Sequence, residues 1–134
     1  MRIAALDIGD VWTGIAISDP LGIIAKPYTT IQANDLTSEI SNLTTQEAVK
    51  TIIIGYPKTM RGTRSEQTKK IEDITAMLQE EFPSISFILW DERLSSKRAD
   101  SVKKGKTRQE KLASHAIAAA FILQIYLDHR SMQQ

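Results

Sequence analysis

Ile3-Ala4-Ala5-Leu6-Asp7-Ile8-Gly9 is an apolar run that ends in a carboxylate and then a glycine. Apolar side chains fall on both parities of the run, so a strand formed here is covered on both faces and belongs in the middle of a sheet. Gly9 lets the backbone turn sharply just beyond the acid. Phe87-Ile88-Leu89-Trp90-Asp91-Glu92-Arg93 repeats the pattern far downstream. Strands that carry acids out of a core to a common sheet edge gather carboxylates, and gathered carboxylates bind divalent cations. Two readings follow: a metal-dependent phosphodiesterase, or two solvated strand ends.

Outward from this run, Arg2–Asp7 reads as the first strand and Val11–Ser18 as the second, with Gly9-Asp10 between them as turn residues. Asp19-Pro20-Leu21-Gly22 is another turn signal. The apolar Ile23–Ala25 and the β-branched Thr29-Thr30-Ile31 then give a third strand, completing an antiparallel meander. Asp35 is placed to cap a helix with Leu36, Ile40, Leu43 and Val49 at roughly helical spacing. Thr51–Ile54 is a short strand ended by Gly55-Tyr56-Pro57. Thr63-Arg64-Ser65-Glu66 fits a capping box. The helix after it buries Ile71, Ile74, Met77 and Leu78, and Pro83 stops it. Ser84–Trp90 is the last strand, with helices expected over Ser95–Val102 and Gln109–Leu127. Strands that alternate with helices after a meander imply an α/β fold with a mixed sheet covered by helices.

A length of 134 residues fits one domain spanning 1–134. Hydrophobic residues at 42% and charged residues at 25% allow an ordinary globular core. The net charge of +1 hides a local imbalance. Lys97, Arg98, Lys103, Lys104, Lys106, Arg108 and Lys111 face only Asp100 and Glu110, which reads either as a nucleic-acid contact or as a solvated helix face. The absence of cysteine excludes disulfides, thiolate catalysis and thiolate metal sites. No apolar run approaches the roughly 20 residues of a membrane span, and no secretory leader pattern is present. The expected location is the cytoplasm.

Four places carry possible chemistry. Asp7 can hold a cation while a phosphate approaches the backbone at Gly9; the same Asp-x-Gly pattern also serves nucleotide-binding turns. Either Glu92 holds metal, with Arg93 on phosphate, or Arg93 pairs with Asp91 or Glu92 in a structural salt bridge. The loop Ile54–Thr63 brings Lys58 and Arg61 to a helix N-terminus, which favours anions. His115 stands among Ala113, Ala116, Ala118, Ala119 and Ala120, either as a satisfied histidine on an apolar face or, if its helix packs near Asp7, as a ligand or proton carrier.

Taken together, these segments resemble the YqgF family, also called RuvX, of Holliday-junction-resolvase-like proteins with a ribonuclease H-like fold. The carriers are Ala5-Leu6-Asp7-Ile8-Gly9, Gly14–Gly22, Gly55-x-Pro57-x-x-Met60-x-Gly62-Thr63, Asp91–Ser96 and Ala118-Ala119-x-x-Ile122-Leu123-Gln124-x-Tyr126-Leu127. The resemblance implies a five-stranded mixed sheet, three strands antiparallel and then two parallel, flanked by helices. It implies a nuclease that matures the 5′ end of pre-16S ribosomal RNA, with junction resolution proposed by analogy. The family's metal-binding acids match Asp7 and Glu92. Its third acid falls at His115, seven residues before Ile122, so the expected aspartate is absent. Magnesium prefers oxygen ligands and imidazole suits manganese better, so Mg2+ or Mn2+ is the expected cofactor, with His115 shifting the preference. Members also carry basic residues shortly after Asp-x-Gly, where this chain has Asp10-Val11-Trp12-Thr13. Asp10 is either a turn residue or a replacement for the missing acid.

The expectation is therefore a metal-dependent nuclease for structured RNA, as monomer or homodimer, with ribosomal particles as further partners. Asp7, Glu92 and His115 form its site. Gly9, Lys58, Arg61, Arg93, Lys103, Lys104, Lys106 and Arg108 contact the nucleic-acid backbone. The alternatives are a resolvase for branched DNA, a non-catalytic RNA-binding assembly factor and, more weakly, a nucleotide-binding protein.

Overall fold

The computed structural model describes residues 2–56, 66–91 and 107–132. Five strands form one sheet in the order β3-β2-β1-β4-β5: β1 (Arg2–Ile8), β2 (Trp12–Ser18), β3 (Ala25–Gln32), β4 (Val49–Tyr56) and β5 (Ser86–Asp91). β1, β2 and β3 are antiparallel neighbours, whereas β4 and β5 run parallel to β1. The apolar first run thus occupies the centre, and every residue from Ile3 to Ile8 is buried. Its downstream look-alike is different. β5 is the border strand among the described residues, and its residues are exposed or half-buried.

Strand alternation divides the core into two layers. Ala4, Leu6, Ile8, Ile15, Ile17, Ile52 and Ile54 meet the helices α1 (Leu36–Gln46) and α2 (Glu66–Glu81), which contribute Leu36, Ile40, Leu43, Ile71 and Leu78. Ile3, Ala5, Ala16 and Ile53 meet α3 (Arg108–Met132), which contributes Ala119, Ile122, Leu123 and Leu127. Each fully buried Ile or Leu contributes about 1.5–3 kcal/mol relative to exposure.

Several boundaries differ from the sequence expectation. Val49 opens β4 instead of closing the helical stripe. The break is Ala48, whose φ of 56° lies in the left-handed region and ends α1. Asp35 does precede α1, but its side chain makes no capping hydrogen bond; a short 3-10 turn, Ala33–Asp35, leads into the helix instead. β4 continues through Gly55 to Tyr56. On α2 the expected Met77 is 48% exposed, and Thr68 is buried in its place alongside Ile71 and Leu78. Ile23 and Ile24 are exposed and precede β3. Their amides donate to Asp19 Oδ1 at 2.7 and 2.8 Å, which holds them in the turn. Those two donors lower the Asp19 pKa from the usual carboxylate value, the Ile24 amide most strongly. The capping residue Thr63 and the helix expected over Ser95–Val102 lie outside the described residues.

Candidate functional site

Asp7 belongs to the parity of β1 that faces α3, together with Ile3 and Ala5. Only 6% of it is exposed, and its Oδ2 is sealed from solvent. A carboxylate held in such a setting interacts with charge far more strongly than one in water. Just beyond it, the Gly9 amide donates to the Trp12 carbonyl at 2.9 Å and closes the β1–β2 turn. A Cβ at Gly9 would stand 2.8 Å from that carbonyl oxygen, so the turn requires glycine. From the other face, Gln67 Nε2 in the first turn of α2 donates to the Ile8 carbonyl at 3.1 Å. The backbone that carries Asp7 is therefore fixed on both sides.

His115 reaches the same place by a different route. Its register-level link to Asp7 is Gly14, the partner of Asp7 across β1 and β2. α3 crosses β2 so closely here that a Cβ on Gly14 would lie 2.0 Å from the His115 carbonyl oxygen and 2.8 Å from the Ala116 amide nitrogen. Backbone contact of that kind needs a glycine. The half-buried His115 thus sits on the helix turn directly over the neighbour of Asp7, beside the buried Ser114. Thr30 Oγ1 donates to the Leu112 carbonyl at 2.5 Å and ties the start of α3 to β3. Gly14 and Gln67 were not singled out from sequence as site residues. Gly14 lies inside an apolar strand, where a glycine signals close backbone approach, and that cue was available.

Asp10, the other residue weighed for the missing acid, stands at an exposed turn. Its side chain is 89% exposed, and its Oδ1 lies 3.8 Å from Nζ of Lys70 on α2, the helix on the face opposite α3. β5 delivers Asp91 to the same end of the sheet, level with Tyr56 of β4. Tyr56 in turn hydrogen-bonds through its hydroxyl to Glu72 of α2. Glu92, Arg93, Lys58, Arg61, Lys103, Lys104 and Lys106 lie outside the described residues, and Arg108 is described only as the first residue of α3. Asp7, Gly9 and His115 are the expected site residues that the fold brings together. No cluster of three His, Cys, Asp or Glu occurs among the described residues. A buried carboxylate beneath a helix that carries a histidine offers donor types that fit a divalent cation accepting both oxygen and nitrogen. No described helix is long and apolar enough to cross a membrane.

The sequence model described as "RuvX: Holliday junction resolvase" matches residues 1–129. The chain belongs to the RuvX family. Relatives named "Putative pre-16S rRNA nuclease" include one from Rubrobacter xylanophilus, 36% identical over 95% of this chain and 92% of its own length. Another, from Acetivibrio thermocellus, is 40% identical over 97% of both chains. A third, from Bacteroides fragilis, is 39% identical over 98% of this chain and 99% of its own. Among solved structures, Thermus thermophilus RuvC has the same fold, with a TM-score of 0.59 at 10% identity over 98% of this chain and 97% of that one. T. thermophilus RuvC in complex with a Holliday junction substrate gives 0.58 at 14% identity, over 98% and 96%. The RuvX chain described here therefore has a RuvC-like, ribonuclease H-like fold, as its sheet order and flanking helices already indicated.

Proposed function

We propose that this protein is a single-domain, metal-dependent nuclease that processes the 5′ end of pre-16S ribosomal RNA in the cytoplasm. The observation that carries the reading is the buried Asp7 carboxylate at the end of the central strand, with α3 pressed onto Gly14 so that His115 lies alongside. Family membership and the names of the relatives support the substrate class.

Asp7, Glu92 and His115 would hold Mg2+ or Mn2+. When bound, such ions lower the pKa of the attacking water and offset charge developing on the phosphate. Asp7 contributes a carboxylate fixed by the backbone bonds at Ile8 and Gly9, so little reorganisation accompanies binding. His115 acts as a ligand or carries a proton to or from the reacting oxygens. Gly9, whose amide is held by the Trp12 carbonyl, places no side chain between Asp7 and an approaching phosphate, and Lys58, Arg61, Arg93, Lys103, Lys104, Lys106 and Arg108 steer and bind the strand. Binding is accordingly salt-sensitive, with little base selectivity from these contacts.

The test is cleavage of a pre-16S 5′-leader RNA and of a four-way DNA junction by wild type and Asp7→Asn, each in Mg2+ and in Mn2+. RNA cutting that disappears in the mutant supports the reading, and a manganese preference supports a His115 ligand. Cutting confined to the junction would replace the substrate with branched DNA. RNA binding without cutting of either would make the protein an assembly factor, and equal cutting by Asp7→Asn would remove the site from Asp7.

A further inference from the structure

The turn between β1 and β2 carries a side chain that the core does not use. Trp12 belongs to the parity of β2 that faces α3, two residues from Gly14 and about 7 Å along the strand from it. It therefore lies on the face of Asp7, at the outer rim of the same site. Its indole is half-buried and belongs to neither core layer. The ring contacts of the described residues involve the other tryptophan, Trp90, with Tyr126 and His129. A large aromatic ring thus stands at the rim of the site.

The charge at this turn selects what the ring meets. Asp10 precedes it by two residues, with its carboxylate 89% exposed and Lys70 Nζ 3.8 Å away. A phosphate seated on Trp12 would lie beside this acid. A nucleobase carries no such penalty and stacks on an aromatic face whatever its identity. Resting on the nuclease reading above, we propose that Trp12 forms a stacking surface for an unpaired base of the strand held at Asp7. The surface would favour single-stranded or frayed substrate over continuous duplex, whose bases are already stacked.

The proposal is tested by binding without cutting. Short single-stranded RNA, and the same strand with abasic sites, are titrated into wild type, Trp12→Ala and Trp12→Phe in the absence of divalent cations. Trp12→Ala is expected to weaken binding of the base-bearing strand by about five- to a hundredfold. Trp12→Phe keeps most of the affinity, and the abasic strand binds all three proteins alike. A second readout needs no alanine variant. In Trp90→Phe, Trp12 is the remaining tryptophan of the two in the chain, and its emission is quenched by the base-bearing strand but not by the abasic one. Unchanged affinity in Trp12→Ala, an equal loss with the abasic strand, or an emission indifferent to bases would overturn the proposal. Cleavage by Asp7→Asn is a separate experiment, so failure of the nuclease reading and failure of the stacking surface are distinguishable.

Discussion

The two faces of the sheet are packed for different ends. Against α1 and α2 the strands present Leu6, Ile15, Ile17, Ile52 and Ile54, and the helices answer with Leu36, Ile40, Leu43, Ile71 and Leu78. Against α3 the strands present Ile3 and Ile53 together with the small Ala5, Gly14 and Ala16, and the helix answers with Ala116 and Ala119 before its larger Ile122 and Leu123. Bulky side chains hold two layers apart and bury area. Small ones let a helix backbone come down onto a strand, and here that brings His115 beside the strand neighbour of Asp7. The first face supplies stability, and the second trades some of that area for close approach at the polar end of the sheet.

Truncation on the bulky face has the largest expected effect on stability. Leu43→Ala opens a cavity in a fully buried position and is expected to cost about 2–5 kcal/mol. Chemical denaturation checks this, with cleavage by the protein that remains folded unchanged. On the close face, Gly14→Ala forces the His115 carbonyl away from a Cβ that would otherwise lie 2.0 Å from it. Overpacking of this kind costs about 1–3 kcal/mol, but cleavage under fully folding conditions should fall out of proportion. An intact rate in a folded Gly14→Ala protein would break the contrast between the faces. Gln67→Ala removes one hydrogen bond to the Ile8 carbonyl, with an expected cost of about 1 kcal/mol and a weaker response to metal concentration.

The smallest effect lies far from the site, at Asp19. Its pKa is lowered by the Ile24 and Ile23 amides, so the folded state favours the charged form. The stabilisation is present above the ordinary carboxylate pKa and is lost as pH falls through the lowered folded value. Melting of wild type and Asp19→Ala should therefore differ at neutral pH and lose the ionisation-dependent part of that difference in strong acid.

The contrast also explains what could be read from sequence. β1 was legible because an apolar run on both parities has one stable place, the sheet interior. The boundary of α1 was not, because the left-handed residue that ends it is Ala48 rather than the usual glycine or asparagine, and Val49 then continues the helical spacing by coincidence. Ile23 and Ile24 looked like strand because their polar partner, Asp19, lies several residues earlier and captures their amides. At the site, Asp7 and His115 were visible as residue types. Their grouping was implied by the family resemblance and not by the residue pattern itself, since it depends on a backbone contact at Gly14 that only the helix crossing creates. Asp10 stood equally near Asp7 in sequence, yet the turn sends it to Lys70 and solvent.

The most direct test of the account is Mn2+ binding, followed by electron paramagnetic resonance of the free ion, in wild type and Asp7→Asn. Loss of a ligand at the end of β1 should weaken binding by at least about tenfold while leaving the thermal unfolding of the metal-free protein cooperative. Unchanged Mn2+ affinity in a folded Asp7→Asn protein would contradict the placement of the metal site, and with it the functional role assigned to the close face of the sheet.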